Sequence, residues 1–167
     1  MIFPAPSLFP LNGLEETNLK YAVICARYRG KWIFCRHEAR ETWELPGGHR
    51  ETKETALEAA QRELYEETGL TLTSWKCRGI VTFLTNGPYD GEYMYLFTAD
   101  SFEGELKECA EGDLQWVSRD FLGELPQWEG DKIFLDLMWR DAPFFLLTLR
   151  YDGERLAEAI LNGKKIR

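Results

Sequence analysis

The chain has 167 residues, 44% of them hydrophobic and 14% aromatic, and a formal net charge of −8. This length and apolar content suit one well-buried domain and are short for two. The acidic balance argues against a broad basic surface and a long nucleic acid as ligand, but a small polyphosphate is compatible when divalent cations lie between it and the protein.

Residues 1–19, which begin MIFPAPSLFPLNG, have no basic leading stretch, and prolines interrupt their apolar residues. They read as an arm that lies along the fold or reaches a partner subunit, and as neither signal peptide nor membrane span. Residues 20–167 are expected to form one domain. From Lys20 to Arg36, two β-rich runs flank Tyr28-Arg29-Gly30-Lys31, a strand–turn–strand. Trp43 to Gly48 is an extended piece entering a glycine turn. Thr55 to Thr68 is a helix, opened by a capping box of Thr55 and Glu58 and closed by Gly69, where a left-handed residue is favoured. Leu72–Thr85 predicts one or two strands, Glu92–Thr98 a strand and Leu114–Val117 a short one. Arg119–Leu125 reads as a helical turn, Asp131–Trp139 as a helix, Phe144–Tyr151 as a strand and Gly153–Leu161 as a final helix. The pattern predicts an α/β fold with a mixed sheet flanked by helices.

The cysteines, Cys25, Cys35, Cys77 and Cys109, form no C-x-x-C pair, and there are two histidines. This argues against zinc sites and disulfide frameworks, and fits free thiols in a cytoplasmic protein. His37 and His49 have no ligand partners in the sequence and read as surface residues.

The helix over Thr55–Thr68 carries two stripes, because positions three and four apart share a face. Leu57, Ala60 and Leu64 form the expected core face. Glu63, Glu66 and Glu67 form an acidic stripe beside it, with Ala56 and Ala59 leaving room for another group to approach. Like charges at this spacing cost about 0.2–0.5 kcal/mol per pair in an exposed helix. They also lie towards the helix C-terminus, where the macrodipole disfavours anions. A hard divalent cation, magnesium or manganese, would relieve both. Taken alone, three glutamates also fit a solvated acidic face.

The surroundings of the stripe tip the balance. Gly48 is followed after five residues by Glu54, and after seven more by Arg62-Glu63-Leu64-Tyr65-Glu66-Glu67-Thr68-Gly69-Leu70. This is similar to the Nudix box, G-x(5)-E-x(7)-R-E-U-x-E-E-x-G-U with U a bulky aliphatic residue, at every specified position. The resemblance implies a Nudix-type α/β/α sandwich, with the box as loop–helix–loop, and metal-dependent hydrolysis within a diphosphate linkage. It implies metal binding by Glu63, Glu66 and Glu67 with a glycine carbonyl at Gly47, and support from Gly48, Glu54 and Gly69. Arg62 would orient a neighbouring glutamate, and Glu63 is the expected base. Glu111, in the loop Glu108–Asp113, is a second candidate as ligand or base, with Glu108 and Asp113 as rivals.

Substrate identity rests on a looser likeness. Pro126 to Phe134, with Pro143-Phe144-Phe145 and Tyr151-Asp152-Gly153, resembles the C-terminal part of bacterial 8-oxo-dGTP diphosphatases. That would set Trp128 and Asp131 against the base, while Arg36 meets a phosphate. Alternatively, Trp128 packs under the helix and Asp131 caps it. The expected substrate is a small nucleotide, best a nucleoside triphosphate, alternatively a nucleotide sugar or dinucleoside polyphosphate; a binding module without turnover is the rival of another class. A homodimer through the arm or Phe144–Tyr151 is compatible.

Overall fold

The computed structural model describes residues 19–85 and 91–167. The arm expected over residues 1–19 thus lies outside the described residues except for Leu19, which opens β1 (Leu19–Tyr28). Strand alternation decides the layers. Ala22, Ile24 and Ala26 of β1 bury on one face and Cys25 on the other. β2 (Lys31–His37) follows a two-residue turn, Arg29-Gly30, with φ of 48° and 73°, the left-handed pair that matches hairpin twist. Ile33 of β2 joins the face of Ala22, whereas Trp32 and Phe34 join that of Cys25.

Next come β3 (Gly47–His49), α1 (Ala56–Thr68), β4 (Thr71–Thr85), β5 (Glu92–Glu103) and β6 (Gly112–Ser118). The chain continues with α2 (Arg119–Leu122), α3 (Glu129–Trp139), β7 (Phe145–Asp152), β8 (Arg155–Leu161) and β9 (Lys164–Lys165). The sheet runs β6-β2-β1-β5-β4-β7-β8-β9, with β3 also pairing β1. It is mixed, because β1–β5 and β4–β7 are parallel and the other pairs antiparallel. Helix α1 covers one face, packing Ala59, Ala60 and Leu64 with Ile24, Tyr95 and Phe97. Helix α3 covers the other, packing Phe134, Leu135 and Met138 with Trp32, Leu96 and Leu147. Each such large side chain, fully buried, contributes about 1.5–3 kcal/mol. The α/β/α arrangement expected from the sequence therefore stands.

Three expectations change. Gly153–Leu161 is not a helix. Gly153 adopts φ 61° in a turn, and β8 returns along β7 with Leu149 opposite Ala159 and Leu147 opposite Leu161. The run Glu-Arg-Leu-Ala-Glu-Ala favours a helix locally, but pairing with β7 and burial of Leu156 and Ala159 override that preference. The segment Phe144–Tyr151 forms β7 between β4 and β8, with Phe145, Leu147, Leu149 and Tyr151 buried on one face and Leu146 exposed on the other. Helix α3 begins at Glu129, ahead of the expected Asp131. On α1, Ala59 is fully buried against the sheet and leaves no gap, whereas Leu57 is only partly buried.

Candidate active site

The site is built where α1 meets β3. Thr55 caps the helix, accepting from Glu58 N–H at 3.2 Å while the Glu58 carboxylate accepts from Thr55 N–H at 2.8 Å. Gly69 ends it at φ 81°, with its N–H on the Tyr65 carbonyl. At the other side, β3 pairs with Tyr21–Val23 of β1, so Gly47 and Gly48 lie flat under the helix. A Cβ on Gly48 would collide with the Glu63 carboxylate, and one on Gly47 would meet the Ala22 carbonyl at 2.6 Å. The glycines are thus required by close approach, and the Glu63 carboxylate rests directly over the Gly48 backbone.

Arg62 organises the acidic groups. Its Nε donates to Glu54 Oε1 at 2.8 Å and its Nη2 to Glu54 Oε2 at 3.1 Å, a two-pronged pair. Nη1 donates to Glu63 at 2.7 Å and reaches Glu66 at 3.3 Å, and Nη2 also donates to the His49 carbonyl at 2.9 Å. Its hydrogen bonds hold the Glu54 carboxyl below its ordinary range, and the Glu54 contact, foremost, strengthens the guanidinium's hold on its proton. One cation thereby fixes three carboxylates.

Glu67 differs from its neighbours. It is 4% exposed, on the core side of α1 one turn beyond Leu64, and not on the open stripe expected with Glu63 and Glu66. Its Oε1 accepts from Gly47 N–H at 3.3 Å, and its Oε2 is buried with no hydrogen-bond partner. Burial first, then the charges of Glu63 and Glu111, push its pKa from 4.5 up to about 7. A buried carboxylate oxygen without a donor fits a bound cation. Glu63 lies near enough for its charge to act on Glu67, and with Glu66 on the same helix it offers further oxygen donors, which suit a hard divalent ion.

The loop before β6 comes to the same end of the sheet. Register pairs His37 with Gly112 and Arg36 with Asp113. Glu111 Oε2 lies 3.3 Å from His37 Nδ1, so His37, read from sequence as an unpartnered surface residue, has a partner. Of the rival carboxylates, Asp113 is taken by Arg36 at 2.5 Å. Arg36 also stacks over Trp43 at 5.3 Å and lines a cleft of about 610 Å³ with Glu38, Arg40, Glu41, Asp113 and Pro126.

Beyond Pro126, whose carbonyl accepts from Trp43 N–H at 2.9 Å, lie Trp128 and Asp131. Trp128 is 40% exposed and meets Tyr151 edge-on at 6.0 Å. It does not pack under α3 but stands at the helix N-cap, where no side chain caps. Burial, then the charge of Glu44, pushes Asp131 from 3.8 up to about 7. Glu129 is held by Leu156 N–H and Arg167.

Sequence reasoning passed over Cys35. Its backbone bridges Glu44, and its buried side chain faces Glu67 and Cys109. The clue was its two-residue spacing from Ile33 and His37 on β2, which sends all three to the α1 face.

The comparisons agree with this geometry. The NUDIX domain family model matches residues 18–138. An uncharacterized Nudix hydrolase of Bacillus subtilis (strain 168), YvcI, is 31% identical over 131 residues, 74% of this chain and 81% of that protein. The oxidized purine nucleoside triphosphate hydrolase of Danio rerio is 34% identical over 102 residues, 61% of this chain, and this chain spans 65% of its length. Among solved structures, the MutT protein of Bacillus halodurans superposes with a TM-score of 0.79 at 26% identity, covering 85% of this chain and 96% of that one. With the box complete, its helix docked on a mixed sheet and all three comparisons in accord, the chain belongs to the Nudix family, whose hydrolases act on phosphoric anhydride bonds and generally need a divalent metal.

Proposed function

We propose that this protein is a magnesium-dependent pyrophosphohydrolase, with manganese able to substitute. It hydrolyses a nucleoside triphosphate, best an oxidised purine deoxynucleotide, to the monophosphate and pyrophosphate. The observation that carries the metal reading is the buried, unpartnered Glu67 Oε2, on the same helix as Glu63 and Glu66. Bound divalent ions would lower the pKa of the attacking water and offset the charge of the phosphate oxygens.

The chain's own residues supply the rest. Arg62 holds Glu63 over Gly48, in position to take a proton from water as it adds to phosphorus and the P–O anhydride bond breaks. Gly47 N–H fixes the Glu67 carboxylate. Glu111, exposed on its loop beside His37, is the further carboxylate that can join as ligand or as base. Arg36 on the cleft supplies a positive charge for a phosphate.

Support for an oxidised purine comes from the name of the Danio rerio relative and from Trp128 and Asp131. An exposed indole face suits stacking on a purine, and a carboxyl near pKa 7 can donate or accept at the base edge around neutral pH. The test is a panel of nucleoside triphosphates, 8-oxo-dGTP included, with nucleotide sugars and dinucleoside polyphosphates, assayed in magnesium for pyrophosphate and monophosphate. Turnover confined to sugars or dinucleotides would replace the triphosphate reading by the nucleotide-sugar or dinucleotide one. The same rate in Glu63→Gln as in wild type would remove this site from catalysis.

A further inference from the structure

We propose that Cys35, His37, Glu67 and Cys109 form a second cation site, selective for a thiophilic divalent ion such as zinc, that shares Glu67 with the oxygen-lined site. Sulfur, nitrogen and oxygen donors of Cys35, His37 and Glu67 lie within 4.8 Å of one another. Cys109 Sγ stands 3.9 Å from Cys35 Sγ. Two thiolates on one tetrahedral zinc, at bond lengths of about 2.3 Å, are about 3.8 Å apart. A disulfide would need about 2.05 Å, so the observed spacing matches a shared ion and not a closed bridge.

The four residues converge by topology. Cys35 and His37 alternate along β2 and emerge on one face, Glu67 comes down from the last turn of α1, and Cys109 precedes β6, the partner of β2. No C-x-x-C spacing is needed, because three separate segments supply the donors. Glu67 adds a demand for an ion there: it is 4% exposed and faces the Cys35 thiol, and its Oε2 has no N–H or O–H donor. Glu111 beside His37 Nδ1 can hold the imidazole in place, as carboxylates do behind ligating histidines.

Donor softness separates the two sites. Magnesium prefers the all-oxygen group of Glu63, Glu66 and Glu67, whereas a thiolate-imidazole-carboxylate set prefers zinc. Because Glu67 belongs to both, zinc draws it away and also ties down the loop that carries Glu111. Zinc is therefore an inhibitor that excess magnesium does not readily displace. This inhibitory consequence rests on the function proposed above, but occupancy of the thiolate site does not.

The experiment titrates reduced, metal-free protein with cobalt(II), zinc's spectroscopic surrogate, in excess magnesium. One equivalent should raise a near-ultraviolet thiolate-to-cobalt charge-transfer band that zinc abolishes. Cys109→Ser should halve that band and weaken binding more than about tenfold, since even an outer-shell change costs 10–100-fold. Cys35→Ser should likewise halve the band and weaken binding, and the double variant should remove it; if Cys35→Ser does not fold, His37→Ala supplies the second variant, with the band kept and affinity lowered. Absence of the band in folded wild type, or an unchanged band in Cys109→Ser, overturns the site. In a separate assay, zinc should inhibit wild-type turnover in magnesium, and Cys109→Ser should keep the basal rate and lose the inhibition. Cobalt binding without zinc inhibition overturns the shared Glu67. Loss of every nucleotide activity with the band intact overturns the proposed function and leaves the site standing.

Discussion

Glu67 and Glu54 carry the same carboxylate into opposite surroundings. Glu54 meets Arg62 and is held below its ordinary range, so its contribution is present above pH 4.5 and is lost as pH falls. Glu67 is raised from 4.5 to about 7, so its contribution is full below pH 4.5 and is lost as pH rises through 7. That rise corresponds to about 3 kcal/mol. Glu67→Gln should therefore stabilise the metal-free protein at pH 8 by roughly that amount and by little near pH 4.5, in denaturant titrations with chelator present. The same variant should lose at least about tenfold in magnesium-supported turnover, by analogy with metal-site losses. Gly48→Ala should lower turnover more than stability, because the added methyl displaces the Glu63 carboxylate while the helix can stay docked; steady-state rates and a thermal melt on one sample compare the two. At this scale the local box spacing singled out Glu54, Glu63, Glu66 and Glu67 as the candidate carboxylates. It did not show that Glu67 faces inwards, although Ala60, Leu64 and Glu67 recur at core spacing. Nor could it show Cys35 and His37 meeting that carboxylate, because their contact depends on how α1 sits on β2.

Helix α1 was legible from end to end because its controls lie within the segment. Thr55, Glu58 and Gly69 act across three or four residues and need no partner strand. Thr55→Ala should cost about 1 kcal/mol. Gly69→Ala should cost at least as much, about 1 kcal/mol or more, because φ is 81° and the new Cβ meets the Glu105 carbonyl at 2.8 Å. Equilibrium unfolding of both variants checks the pair, and a neutral Gly69→Ala would contradict the left-handed cap. Strand β8 shows the opposite case. Its residues prefer a helix among themselves, and only the turn at Gly153 and the edge of β7 convert them into a strand. The Asp152-Gly153 pair was the available sign of a hairpin. The mixed sheet was readable from alternation, but its order was not, since β1 pairs in parallel with β5 and not with its neighbours alone.

Across the whole molecule, a metal at the proposed site would make stability depend on divalent cations through the unfilled demand of Glu67. Magnesium at 100 times its dissociation constant should add about 2.7 kcal/mol if it binds the folded state alone. The gain in melting temperature should be larger at pH 8 than at pH 5, where protons compete for Glu67, and should shrink in Glu67→Gln. Equal gains at both pH values would detach metal binding from this carboxylate.

The parallel pairing of β1 with β5 also orders the making of the protein in time. Ala22 lies beside Tyr95, and the face on which α1 rests includes Tyr95 and Phe97. A nascent chain that has emerged only as far as Leu70 already carries the whole box and the β1 and β3 part of its seat, but lacks the β4 and β5 part. Contacts so distant in sequence close slowly and late. The capped helix is therefore ready before its seat is complete, and the seat closes only after β5 has left the ribosome.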